Sequence, residues 1–175
     1  MLKTISLEKK LLLIAASLSL LFIGLSTSYF LYVRSNVIEQ RRYALEPQIK
    51  FIGSLIKGYH QDYLDGKLSL VQAQQQAIKK IHEINLINDD YTFVFNDDYL
   101  LLESINNAEM RNKNVKDEVD IRGVKLYQLL RNEAVTRVNE GYSHYFYYGS
   151  VNRAQQAKIS YSQYFSPWGW TYGEG

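Results

Sequence analysis

The 175-residue chain contains no cysteine, which excludes a disulfide framework and any site built on a thiolate. Its 20 basic and 18 acidic residues nearly balance, and from residue 34 onward the two kinds are equal in number. A nucleic-acid-binding domain needs a net basic face, so the composition argues against that function.

An uncharged apolar stretch spans residues 11–33 and predicts a transmembrane helix. A helix of this length extends about 34 Å, enough for a hydrocarbon core of about 30 Å. A cleaved signal peptide is the main alternative, but its apolar core would be shorter and would end in a small-x-small site. Basic residues flank both ends, so the positive-inside rule gives only weak support for a cytoplasmic leader at 1–10.

Apolar periodicity predicts two helices after the membrane segment. Apolar residues recur at spacings of three and four over 34–63, so we expect the membrane helix to continue into a long helix with an apolar stripe. Pro47 cannot donate to the preceding turn and is expected to kink or break this helix. Ser69 and Gln72 form a capping-box pattern that begins the second helix, and the polar stretch 85–90 predicts a loop after it.

The pattern changes at residue 91 to one typical of strands. Residues 91–95 are aromatic and β-branched, 96–98 suit a turn, and 99–103 resume the strand pattern, which together predict a hairpin. A long polar loop over 104–123 follows, and ordered loops of this length are often binding elements.

A third helix is expected over 124–138, with Gly141 ending it. Its expected inner face comprises Leu126, Leu129, Leu130 and Val138.

Three strands complete the predicted elements. They are expected over 142–148, over 157–165 and from 168 onward, with a turn over 149–155 between the first two. Strands on both sides of one helix predict an α+β domain with an antiparallel sheet, one face of which the long helix would cover.

Catalytic and metal-binding functions find little support in the sequence. The three histidines lie on different predicted elements, with no i,i+4 pair that could hold a metal: His60, His82 and His144. Paired aspartates fall in predicted turns, where Asp is favoured for local hydrogen bonds, and no nucleotide-binding glycine motif is present. We therefore expect this chain to be no enzyme and to hold no metal or cofactor.

Several short segments of the second half occur in a specific order. They are YTFVFNDD at 91–98, NVKD at 114–117, Gly141-Tyr142, KISY at 158–161 and FSPWGWTYGEG at 165–175. In this order they resemble the Cache family of bacterial extracytoplasmic sensor domains, most nearly the single-Cache type. The resemblance covers about 90–175, and the first half agrees in layout, as a transmembrane helix that runs into a long helix.

This resemblance implies a PAS-like antiparallel sheet with the long amino-terminal helix packed on it. It also implies a bacterial inner-membrane receptor, such as a chemoreceptor, with a periplasmic sensor domain over 34–175 that binds a small polar molecule. Such receptors signal through transmembrane helices to a methyl-accepting, histidine-kinase or diguanylate-cyclase module. We expect a homodimer, and we expect a second transmembrane helix and any catalytic module to lie beyond Gly175, so that the domain is incomplete at its carboxyl end.

The resemblance also indicates where a ligand would bind. Lys158 matches the family's lysine, and Ser160 and Tyr161 lie beside it on one predicted strand, where charge-assisted hydrogen bonds would hold a ligand oxygen. The alternative for Lys158 is a solvated strand lysine. Tyr145 and Tyr147 share one face of the preceding strand, and either that face or the opposite one must pack in the core.

Three further candidates have structural alternatives of their own. Phe93 shares a face with Phe95 and is either a pocket wall or a core residue. Arg111 in the polar loop either closes over a ligand or is simply exposed. Glu103 stands where many family members have the histidine of a His-Pro pair, so its role depends on where the carboxylate points.

The chemical class of the ligand remains open because Glu103 stands in place of the family's histidine. A carboxylate at 103 would repel an anion unless it were protonated or turned away, so an amine, an amino acid or a neutral polar ligand is an alternative to a short carboxylate. The chain also has Asn112 where the family often has glycine. The alternative function is a domain with a degenerate pocket that serves only for interaction or dimerisation.

Overall fold

The computed structural model describes residues 6–88, 92–105, 107–138, 140–148 and 155–175. The helices and strands in these ranges are α1 (Leu7–Leu64), α2 (Leu70–Asn88), β1 (Phe93–Asn96), β2 (Leu101–Glu103), α3 (Leu126–Thr136), β3 (Tyr142–Tyr148), β4 (Gln155–Phe165) and β5 (Trp170–Glu174). Short 3-10 turns lie at Ala108–Met110 and Ser166–Trp168. The chain divides into two units, residues 1–41 and 42–175.

The first unit contains the apolar part of α1. Over Leu7–Val33 the helix has a mean hydropathy of 2.1 and is long enough to cross a bilayer. It starts earlier than the predicted 11–33 because the charged residues before Leu11 already form its first turns. Hydroxyls within it donate back to the helix, as Ser19 Oγ does to Ala15 O at 2.9 Å, which lowers the cost of placing them in hydrocarbon.

In the second unit, α1 continues and α2 begins largely as the sequence predicts. α1 passes through Pro47 and ends at Leu64, so of the kink or break expected at this proline the break is absent. The capping box of α2 is confirmed, since Ser69 N donates to Gln72 Oε1 at 2.9 Å and Gln72 N donates to Ser69 Oγ at 3.3 Å.

The carboxyl end of α2 is longer than predicted. The helix runs to Asn88, so the prediction of a loop from residue 85 is wrong at its start. Asn85 is 1% exposed, and its Nδ2 donates to Thr92 O at 3.0 Å. A polar residue that looked suited to a loop therefore anchors the helix to the chain that enters β1.

The strands form one antiparallel sheet with the order β2-β1-β5-β4-β3. The predicted hairpin is β1–β2, in which Val94 pairs with Glu103 next to a register irregularity. The predicted α+β class with an antiparallel sheet is confirmed. Residue 91 at the start of the predicted hairpin, and residues 149–154 of the predicted turn, lie outside the described residues.

Two apolar clusters lie on opposite faces of this sheet. The helix-pair cluster joins α1 and α2 to the sheet and contains Ile49, Ile52, Ile56, Ala73, Ala77, Ile81, Val94, Tyr142, Ile159, Tyr161, Phe165, Trp168, Trp170 and Tyr172. The α3 cluster contains Phe93, Phe95, Leu101, Val115, Leu126, Tyr127, Leu130 and Tyr145. Successive strand residues alternate between the two, which confirms that the long helix covers one face.

The third helix is shorter than predicted. α3 spans Leu126–Thr136 rather than 124–138, and Arg137 rather than Gly141 ends it, with a left-handed φ of 55°. The N–H of Arg137 donates to Glu133 O at 2.9 Å and closes the last turn. Val138 lies beyond this cap and is 75% exposed, so its assignment to the inner face is wrong.

The last strand begins later than predicted. β5 starts at Trp170, because Ser166–Trp168 forms a 3-10 turn that contains Pro167 and ends at Gly169. Pro167 has no N–H to give to a strand ladder, whereas it suits the first residues of such a turn.

One buried carboxylate holds the end of the long loop against the edge of the sheet. Asp120 accepts hydrogen bonds from Arg122 N at 2.8 Å and Val124 N at 3.0 Å. It also accepts one from Phe146 N at 3.1 Å, on the outer side of the edge strand β3. The loop thus covers part of an edge that would otherwise expose unpaired backbone groups.

Candidate functional site

A floor of small polar residues lies on the α3 side of the sheet, across β3, β4 and β5. Ser143 pairs with Ser160 and Ser162 pairs with Gly173 in adjacent strands. Thr171 shares this face with Gly173, two residues away on β5. Because these side chains are small, α3 packs most closely on β4 and also contacts β3 and β5.

Three hydroxyls of this floor are buried without a partner. Ser143 Oγ, Ser162 Oγ and Thr171 Oγ1 make no hydrogen bond to any atom of the described residues. Buried polar atoms in folded proteins nearly always have a partner, which is either protein, ordered water or a ligand. The floor is therefore suited to a small polar molecule or to water.

Two tyrosines of β3 connect the floor to the polar loop. Tyr145 Oη lies 2.5 Å from Ser160 Oγ, and both atoms are buried. Burial raises the pKa of Tyr145 to about 12, so its hydroxyl is neutral at physiological pH and can donate. Further along the strand, Asn107 Nδ2 donates to Tyr147 Oη at 2.7 Å. Burial also raises the pKa of Tyr147 and that of the neighbouring Tyr127 of α3.

Lys158 lies beside this tyrosine–serine group. It pairs with Tyr145 across β3 and β4, so the two side chains share the α3 face of the sheet. Lys158 is only partly exposed. An ammonium group at the border of a neutral hydroxyl cluster supplies the charge that an anionic ligand needs.

Phe93 forms an apolar wall of the same face. It is 8% exposed and belongs to the α3 cluster, where its ring stacks with that of Phe95 at 6.1 Å. The sheet face thus brings together five of the residues that the sequence singled out: Lys158, Ser160, Tyr145, Tyr147 and Phe93.

The other three predicted residues lie elsewhere. Tyr161 is 1% exposed on the opposite face, in the helix-pair cluster, with its ring 4.9 Å from that of Tyr142. Glu103 and Arg111 lie together at α2. There Glu103 Oε1 is 3.0 Å from His82 Nδ1, and Glu103 Oε2 is 3.5 Å from Arg111 Nη1.

Sequence reasoning missed several residues of the sheet face. Ser162 and Thr171 follow from the period-two alternation of their strands, since Ser162 lies two residues after Ser160. Tyr127 is spaced like a core residue of α3, and nothing local distinguishes it. Asn107 is one polar residue among many in the loop, and only the tertiary structure places it beside Tyr147.

Comparison with known proteins finds a family model and solved structures that this chain resembles. A family model described as single Cache domain 2 matches residues 37–175. The periplasmic sensor domain of a chemotaxis protein superposes with a TM-score of 0.71 at 18% identity, over 79% of this chain and 95% of that one. A methyl-accepting chemotaxis protein from Vibrio parahaemolyticus RIMD 2210633 superposes with a TM-score of 0.68 at 20% identity, over 81% of this chain and 91% of that one.

A third solved structure concerns carboxylic acid recognition by a Cache chemosensory domain. It superposes with a TM-score of 0.68 at 22% identity, over 81% of this chain and 95% of that one. At these identities the likeness establishes the shared PAS-like fold, and the residues of the site have to be argued from this chain.

Proposed function

The chain belongs to the single Cache domain 2 family, and on that premise we propose that it is the ligand-sensing input part of a bacterial transmembrane signalling receptor. The family match over residues 37–175 supports a sensor domain in this part of the chain. Two of the similar structures come from chemotaxis proteins, which supports a chemoreceptor among the receptor types.

The proposed topology places residues 1–10 in the cytoplasm, 11–33 across the inner membrane and 34–175 in the periplasm. The uncharged apolar segment supports a membrane span, since its length matches the hydrocarbon core. A periplasmic location is supported by the relative that is a periplasmic sensor domain.

The proposed ligand is a short carboxylate held on the α3 face of the sheet. The observation that carries this proposal is the row of buried hydroxyls with no hydrogen-bond partner among the described residues, bordered by Lys158. Lys158 would hold the carboxylate, and the neutral hydroxyl of Tyr145 would donate a further hydrogen bond. The relative that recognises carboxylic acids supports this ligand class.

The position of Glu103 removes the main objection to an anion. Its carboxylate lies beside His82 and Arg111 at α2, whereas Lys158 and Tyr145 lie on the α3 face. The negative charge is therefore partly neutralised and separated from the proposed ligand, so an amine is a weaker candidate than a carboxylate.

Helix α1 is the proposed conduit for the signal. It carries the apolar segment at one end and, at the other, Ile49, Ile52 and Ile56, which pack against the sheet. A ligand that shifted the sheet relative to these contacts would bias the helix between two positions, within a homodimer.

A thermal-shift comparison tests the ligand proposal on the full chain in detergent. We expect formate, acetate, propionate or pyruvate to raise Tm, while ethylamine does not. A ligand present at 100 times its Kd adds about 2.7 kcal/mol, which corresponds to a Tm increase of roughly 5–10 °C. In Lys158→Ala we expect that increase to disappear.

Lys125→Ala is the matched control, since Lys125 is half exposed and pairs with Asp117 at 2.8 Å, away from the hydroxyl row. It should keep the full Tm increase. If no acid stabilises the chain, or if Lys158→Ala responds like the unmodified protein, the ligand proposal fails. An interaction or dimerisation domain would then be the better account.

A further inference from the structure

A concave surface lies on the opposite side of the sheet from the hydroxyl row. It is a cleft of about 640 Å³ between α2, the β1–β2 hairpin and the start of β5. Its lining includes Ile78, Lys79 and His82 of α2, and both tryptophans of the chain, Trp168 and Trp170. The volume is in the range of small-molecule sites.

The charged residues of the cleft favour an anion. Glu103 is 2% exposed, and its carboxylate already has His82 and Arg111 as neighbours. Lys79 and Arg111 both line the cleft, so its described lining has two permanent cations and a single carboxylate.

Among the described residues Arg111 makes only long contacts, which leaves it able to reorient toward a ligand. Its Nη1 lies 3.5 Å from Glu103 Oε2 and 3.5 Å from His82 Nδ1, and its Nε donates to Ala108 O at 3.4 Å. Hydrogen bonds of a guanidinium to a carboxylate are normally about 2.7–2.9 Å. A ligand carboxylate could therefore gain a shorter bond than any Arg111 makes now.

The aromatic wall of the cleft carries a second, independent signal. The rings of Trp168 and Trp170 meet edge to face with centroids 4.7 Å apart. Trp168 is 8% exposed, and its Nε1 is buried without a hydrogen-bond partner among the described residues. An indole nitrogen can only donate, so the missing partner must be an acceptor.

We propose that this cleft binds an aromatic carboxylate, at a site distinct from the one beside Lys158. The carboxylate would bind Arg111 and Lys79, and the ring would pack against Trp168, Trp170 and the aliphatic side chain of Ile78. Flat rings prefer the edge-to-face and offset contacts that two adjacent indoles offer. This inference does not depend on the proposed function of the sheet face.

Intrinsic fluorescence of the full chain in detergent tests the proposal, because the only two tryptophans line the cleft. Benzoate is the probe, and isothermal titration calorimetry measures its affinity. We expect benzoate to change the tryptophan emission in a saturable way. Neutral benzamide should bind at least about tenfold more weakly than benzoate. Arg111→Gln should weaken benzoate binding by about tenfold or more.

Two further variants keep the test decisive. Lys79→Gln alters an exposed residue of α2 that the fold does not need, and it should weaken benzoate binding by a factor of about two to five. Lys125→Ala, which changes a surface lysine outside the cleft lining, should leave benzoate binding unchanged. The proposal is overturned if benzoate gives neither a fluorescence change nor heat, if benzamide binds equally well, or if Lys158→Ala rather than Arg111→Gln abolishes binding.

Discussion

Replacement of Asp120 by alanine is expected to lower the free energy of unfolding by about 2–4 kcal/mol. The side chain of Asp120 is fully buried and accepts hydrogen bonds from three backbone N–H groups, those of Arg122, Val124 and Phe146. The variant would leave these donors without an acceptor and release the loop from the edge strand β3. Urea unfolding followed by tryptophan fluorescence measures the change.

The pH dependence of the free energy of unfolding gives a second readout of the role of Asp120. Burial disfavours the charged carboxylate, but hydrogen bonds from Val124, Phe146 and Arg122 outweigh burial and lower the pKa of Asp120 from 3.8 to about 2. A carboxyl with a lowered pKa stabilises the fold above its ordinary pKa and loses that contribution as the pH falls toward the lowered value. The stability difference between the unmodified protein and Asp120→Asn should therefore shrink between about pH 4 and pH 2.

Asp117→Ala is the matched control for Asp120. Its side chain is 78% exposed and pairs with Lys125 at the surface, so we expect a much smaller change than in Asp120→Ala. Equal losses in the two variants would contradict the role assigned to Asp120.

Replacement of Gly53 by alanine is expected to destabilise the protein by about 1–3 kcal/mol, although alanine is the better helix former. A Cβ at this position would lie 2.5 Å from Tyr172 Oη and 3.2 Å from Gln163 Oε1. Tyr172 is 2% exposed and its hydroxyl donates to Gln163 Oε1 at 2.9 Å, so the ring cannot simply turn away. The close approach of α1 to β5 therefore requires glycine.

Two variants separate this steric effect from helix propensity. Gly58 also lies in α1 but has nothing within 4 Å of an added Cβ, so Gly58→Ala should stabilise by about 0.5–1 kcal/mol. Tyr172→Phe removes the hydroxyl that the new methyl group would meet. The double variant Gly53→Ala with Tyr172→Phe should lose less than the sum of the two single changes. If the two single losses added fully, the contact between the new methyl group and the Tyr172 hydroxyl would not be what limits the approach of α1 to β5.

Local patterns were sufficient to predict most of the fold. The capping box of Ser69 and Gln72 is a short-range device, and the alternation within β4 is a property of neighbouring residues, so both can be recognised from sequence. The errors occur where tertiary contacts decide. Asn85 extends α2 because its side chain donates to Thr92 O. Arg137 ends α3 in a left-handed conformation, which sequence patterns lead one to expect at a glycine.

The candidate site was predictable only in part, and for Glu103 the reason is the register of the β1–β2 hairpin. Regular alternation would place Glu103 on the same face as Leu101. The register irregularity instead pairs Glu103 with Val94, a residue of the helix-pair cluster, while Leu101 belongs to the α3 cluster. One extra residue in a strand therefore moves the carboxylate to the other face, and composition cannot reveal such a bulge.

A crystal structure of the chain with the short acid that raises Tm most tests the central claim directly. The account predicts that the carboxylate binds on the α3 face, with an oxygen about 3 Å from Lys158 Nζ and with Tyr145 Oη as a further donor. It also predicts that the ligand or its waters satisfy the hydroxyls of Ser162 and Thr171. An acid bound only in the cleft at α2, or an α3 face closed by side chains with no ligand density, would contradict it.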